Sequence, residues 1–241
     1  MSNSLLQTYK FQAKNSLSGT AIIYGFLTLL LIIFMAIPAS GKNSGGFDSI
    51  AMIYFFVIGI SSYVKEFHLG LANGVTRRTF FLSTILTAGT LAVVGTILNV
   101  IFYFLFSLTN ANYSAIPAYY NDISDGKVSM FLTLGLLPFT MIFSFILLGY
   151  FITSLLHKFP NWAKAATISG CAILPLVLTI FIESFAGENF IKLLQKISEF
   201  FIENIVFIPQ NLSLFFIIFA GIFAGLFFLC LRKTKIKSNI S

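Results

Sequence analysis

Long apolar stretches, nearly bare of ionisable groups in their interiors, restrict this chain more than any other feature. They run at residues 20–37, 47–64, 79–108, 129–156, 163–183 and 212–231. A helix needs roughly 20 mostly apolar residues to cross a hydrocarbon core of about 30 Å, so each run reads as a membrane span. With 57% hydrophobic and 10% charged residues, the remainder offers too little polar surface for a soluble globule. The expected fold is an all-α polytopic membrane protein, one transmembrane domain over residues 1–241. The third run would be roughly 45 Å long as a helix, so it must tilt or project past the membrane face, and the fourth poses the same question.

The 15 Lys and Arg against 8 Asp and Glu would raise nucleic acid as a partner for a soluble chain. In a membrane chain the excess reads first as topology. With a cytoplasmic N-terminus the inner set is Lys10, Lys14, Lys65, Arg77, Arg78, Lys158, Lys164, Arg232, Lys233, Lys235 and Lys237. Only Lys42, Lys127, Lys192 and Lys196 fall outside. That asymmetry satisfies the positive-inside rule, and the inverted topology violates it. Both termini are expected in the cytoplasm of a cell-membrane protein, and nucleic acid drops out as a partner. The first run is too long for the apolar core of a signal peptide and reads as a retained span.

Chemistry is sparse. Membrane enzymes and proton-driven carriers place ionisable residues at mid-membrane depth, and here Asn99, scattered Ser and Thr, Pro138 and Pro175 are the polar or helix-perturbing features. Asn99 reads as an interhelical hydrogen-bond partner and the prolines as kinks. His68 and His157 have no ligand partners at useful spacing and read as solvated loop side chains; Cys171 and Cys230 read as packed small residues. No metal site is expected. Gly126-Lys127-Val128 and Gly41-Lys42-Asn43 lack the upstream glycine and following Ser/Thr of a phosphate-binding loop, so the chain binds no ATP by that device. Active work would need energy from another subunit.

Three segments outside the spans carry pattern. In residues 64–81, Val64, Phe67 and Leu71 recur at helical spacing, which predicts a short amphipathic helix ending at Ala72. Asn73-Gly74 then reverses the chain, and Thr76 caps the third span. Arg77 and Arg78 sit in that span's first turn, where the helix dipole disfavours cations, so a compensating partner is expected: lipid headgroups or an acidic protein surface. Between spans five and six, Phe190, Leu193, Leu194, Ile197, Phe200 and Phe201 follow one helical face, with Lys192, Lys196, Glu199 and Glu203 opposite. That predicts an outer amphipathic helix, interfacial or re-entrant. Near the N-terminus, Leu5, Leu6, Tyr9 and Ala13 predict a short interfacial helix ending in the turn-forming residues 15–19.

Glu66, then Gly70, then Asn73-Gly74-Val75-Thr76-Arg77-Arg78-Thr79-Phe80-Phe81 resembles the segment leading into span three in membrane subunits of type-2 ATP-binding-cassette export transporters, which include bacteriocin, peptide and drug exporters. The chain is similar to that family also in its N-terminal interfacial helix, six spans and outer helix. Gly70 lies four residues after Glu66, where larger relatives have two. The resemblance implies that residues 65–78 form a coupling helix docking on a separate ATPase, through Lys65, Glu66, Phe67, His68, Leu69, Gly70, Asn73, Gly74, Thr76, Arg77 and Arg78. It implies further that two permease chains and two ATPases work by alternating access, with ATP and Mg on the ATPase and no cofactor on this chain.

The function so expected is an ATP-driven export permease for a hydrophobic or amphipathic cargo: peptide, drug or lipid-like molecule. The alternative is a pore or a non-transporting membrane immunity or binding protein whose outer helix engages a toxin or lipid. An intramembrane enzyme is disfavoured because no acid/base or metal constellation is visible. The 30 phenylalanines read as lipid-facing packing.

Overall fold

A computed structural model describes residues 3–36, 47–107, 132–157 and 209–233, with the isolated positions 159 and 196. Among these residues the architecture is helical throughout. The elements are α1 (Asn3–Ala36), α2 (Phe47–Ala72), α3 (Arg77–Ser107), a π-helical turn (Leu132–Leu136), α4 (Leu137–Leu156) and α5 (Pro209–Lys233). Among the described residues, three stretches are long and apolar enough to cross a membrane: Arg77–Leu105, Leu134–Leu156 and Asn211–Arg232. Residues 20–36 of the first run lie within α1 and the second run lies within α2. The fifth run, and the outer-helix residues Phe190, Leu193, Leu194, Ile197, Phe200 and Phe201, lie outside the described residues.

Two expected helix boundaries are absent. The N-terminal helix does not stop at residues 15–19; α1 runs unbroken for 34 residues, about 51 Å at 1.5 Å per residue. Its Ser and Thr, which favour turns when exposed, here serve the helix: the Thr20 hydroxyl donates to the Ser16 carbonyl at 2.9 Å, and Thr28 to that of Tyr24 at 2.6 Å. Packing against α3 then outweighs local turn preference. The helix expected before Ala72 is likewise no separate element but the last turns of α2, which continues from the span without a break.

Pro138 acts as an N-terminal residue of α4 rather than as a mid-helix kink. One residue separates it from the π-helical turn, and its missing N–H makes the α-helical bond back to that turn impossible.

α4 is the central element, packed most extensively on α2 and α5 and also on α3, while α1 lies mainly against α3. Lipid tails are as apolar as leucine, so the helices gain by close fit and polar contacts rather than by leaving water. The closest approach is between Gly59 and Gly149, where a Cβ on Gly59 would lie 2.3 Å from the Ile146 carbonyl oxygen and one on Gly149 2.5 Å from that of Phe56. Thr153 adds a bond to the Ile60 carbonyl at 3.2 Å, and Ser144 joins α4 to the Phe216 carbonyl of α5 at 2.7 Å.

Along the α1–α3 contact runs a buried polar seam. Gln12, fully buried, donates to Thr84 at 3.4 Å and accepts from Thr87 at 3.5 Å; higher up, the Tyr24 hydroxyl donates to Asn99 Oδ1 at 3.1 Å. Asn99 thus has the interhelical role its chemistry indicates. Among the described residues, phenylalanines are found in two roles. Phe55, Phe67, Phe80 and Phe227 are core residues, whereas Phe26 and Phe104 face outward with Ile97, Ile101, Leu214, Ile217 and Ile222.

Pairings along these contacts set relative direction. Glu66 meets Tyr150 and His68 meets His157, so α2 and α4 run parallel; Arg77 meets Arg232, so α3 and α5 run antiparallel. The 73–76 turn and the C-terminal ends of α2, α4 and α5 therefore share one end of the bundle.

Candidate functional site

The turn at this shared end is held by backbone chemistry on both sides. The Gly74 N–H donates to the Leu71 carbonyl at 3.0 Å and the Val75 N–H to that of Gly70 at 2.9 Å, the pair of bonds that closes a Schellman motif. Gly74 takes the left-handed conformation this motif requires, with φ +73°. Val75 is partly buried and packs against the apolar core below the turn. Two residues on, Thr76 Oγ1 accepts from the Thr79 N–H at 3.2 Å and the Thr76 carbonyl accepts from Phe80 N–H at 2.9 Å, which caps α3. One helix is thus stopped and the next started within four residues.

The expected docking residues separate into two groups. His68, Leu69, Asn73, Gly74, Thr76 and Arg78 are exposed, while Gly70 and Arg77 are half-buried. Glu66 and Phe67 are buried, at 2% and 1% exposure, and point into the bundle. Lys65 belongs to the same helical turn of α2. A Cβ on Gly70 would meet Phe80 and Val75 only at ordinary contact distances, 3.6 and 3.8 Å, so space alone does not demand glycine there.

Beneath the turn lies an aromatic cluster. Tyr63 stacks on Phe67 with centroids 5.2 Å apart, and Phe80 and Phe227 meet Tyr63 edge-on at 6.3 and 5.9 Å. Edge-to-face and offset pairs of this kind add to packing through the ring quadrupole. The Glu66 carboxylate accepts from the Tyr150 hydroxyl at 3.4 Å, so the acid joins α2 to α4 inside the bundle. A carboxylate at such depth is tolerable only where polar groups surround it.

Two charged or polar side chains find partners within the chain that sequence spacing does not indicate. Arg77 finds its compensating partner within the chain: Nη1 donates to the Arg232 carbonyl at 2.7 Å. That carbonyl is one of the acceptors a helix leaves open at its C-terminus, and the negative end of the α5 dipole offsets the positive end of α3 on which Arg77 sits. Arg78 remains outward. The histidines are not separately solvated; the His68 and His157 Nε2 atoms lie 3.1 Å apart. Helix packing brings together rings 89 positions apart, which no sequence spacing discloses. Cys230 is buried in α5, as a packed small residue would be, and Cys171 lies outside the described residues.

Among the described residues no group of three or more His, Cys, Asp or Glu comes together. The arrangement is an exposed turn bonded to α2, α3 and α5. No family model, no curated protein and no solved structure matches this chain.

Proposed function

We propose that this chain is the membrane subunit of an ATP-driven exporter and that the 73–76 turn is where a separate ATPase docks. One observation carries the reading: the turn is exposed at its apex yet continuous with α2, capped onto α3, and bound through Arg77 to the end of α5. A push on such a turn moves three helices together, whereas a flexible loop would absorb it. The buried Glu66–Tyr150 contact extends the connection to α4.

In this reading the chain has six spans with both termini cytoplasmic, the fifth span and the outer amphipathic helix falling between α4 and α5. The antiparallel relation of α3 and α5 and the parallel relation of α2 and α4 are what that alternation requires. Two such permease chains work with two ATPases that hold the ATP and Mg. The cargo is hydrophobic or amphipathic, because the spans present few fixed charges.

Arg78 is the residue to test, since it is exposed and, unlike Arg77, is not bonded to α5. Arg78→Glu should leave membrane insertion and yield unchanged while removing co-purification of the ATPase and its stimulation by the permease. Full stimulation in that variant would end the docking assignment.

A further inference from the structure

His68 and His157 are the only histidines in the chain. Their Nε2 atoms face each other at 3.1 Å, with ring centroids 5.1 Å apart and planes inclined by 59°. His68 is exposed and His157 partly so, which leaves the pair open to solvent. Two neutral imidazoles bond in this way only if one donates and the other accepts, so they hold opposite tautomers. The shared proton can pass through water to the Nδ1 of its own ring. Both Nε2 lone pairs then face one space, with no change in the charge of the pair.

We infer that His68 and His157 form a two-histidine site for a first-row divalent transition metal of the zinc, nickel or copper class. Metal–nitrogen bonds of roughly 2.0–2.1 Å at a tetrahedral angle put two ligand nitrogens about 3.3 Å apart, and bonds at a right angle put them about 2.9 Å apart. The observed 3.1 Å falls between these chords, so the metal enters with only small ring movements. Imidazole nitrogen suits these ions, whereas magnesium and calcium take oxygen ligands. Water completes the coordination shell, and the ion exchanges readily from this open position.

The scaffold under the pair is stiff. Nine residues before His68 and eight before His157, α2 and α4 meet backbone to backbone at Gly59 and Gly149. Tyr63 then braces the His157 ring edge-on at 6.2 Å, and Phe67 does the same for His68 at 6.2 Å. A bound metal ties the end of α2 to the end of α4 beside the exposed turn, whether or not an ATPase docks there.

The test is titration of Zn²⁺ by calorimetry into the full chain, purified in detergent through a histidine-free tag. One Zn²⁺ per chain is expected. His68→Gln and His157→Gln keep a polar side chain at each surface position, and each should weaken binding by more than the ~10- to 100-fold that follows loss of a mere supporting group. Cu²⁺ bound to the unaltered chain should show a two-nitrogen hyperfine pattern that both variants lose. Equal thermal unfolding of the three proteins separates a lost ligand from a lost fold. The site is overturned if the unaltered chain takes up no Zn²⁺, or if both variants bind it as tightly as the parent.

Discussion

Gly74 shows how much depends on a single backbone angle. At φ +73° an L side chain crowds the following carbonyl, at a cost of about 1–2 kcal/mol. Nothing lies within 4 Å of where a Cβ would stand, so Gly74→Ala changes conformation alone. The expected result is a lower unfolding temperature in detergent, with Gly74→Asn much milder because asparagine tolerates this region. Thr76→Ala should cost about 1 kcal/mol through loss of the α3 cap. Equal stability of Gly74→Ala and the parent would mean that the Schellman ending is not formed. Both devices were legible in the sequence, since Asn-Gly and a following Thr act through bonds to neighbours a few positions away. The partner of Arg77 was not legible, because Arg232 is 155 positions distant.

For whole helices, the decisive contacts are made by what is missing from them. Gly59 and Gly149 let the α2 and α4 backbones touch, while Gly89 in α3 has nothing within 4 Å of its virtual Cβ. Gly149→Ala should therefore push the helices apart and lower stability by about 1–3 kcal/mol, the usual range for overpacking. Gly89→Ala should be neutral or stabilising, since alanine is the better helix former. Thermal unfolding of the two variants side by side checks this, and equal effects would refute the close α2–α4 contact. The run boundaries foretold where α1 ends and where α2 begins, but not that α1 starts at Asn3 or that α2 continues to Ala72. Turn-forming residues at 15–19, and the separation expected between span two and the helix ending at Ala72, were overridden by helix-on-helix packing. Only the assembled bundle reveals that Gln12, read as part of an inner-leaflet helix, is fully buried against Thr84 and Thr87.

Across the molecule, the shared end predicts a common exposure. With Cys171 and Cys230 replaced by alanine, Asn73→Cys and Arg232→Cys should both react with a membrane-impermeant thiol reagent from one side only, the cytoplasmic side under the proposed topology. Reaction from opposite sides would overturn the antiparallel arrangement of α3 and α5. The sequence by itself determined that this chain is helical and built for a membrane, because apolar run length and charge distribution follow from composition along the chain. It determined the capped 73–76 turn as well, since caps are local. Only the tertiary structure decided that Glu66 turns inward to Tyr150, that Arg77 holds α5, and that two histidines stand face to face. The reason is physical: helices apolar on nearly every face carry no hydrophobic stripe to declare which side is buried. In lipid the choice of neighbour rests on shape fit and a few polar contacts between distant residues, and those exist only once the helices have packed.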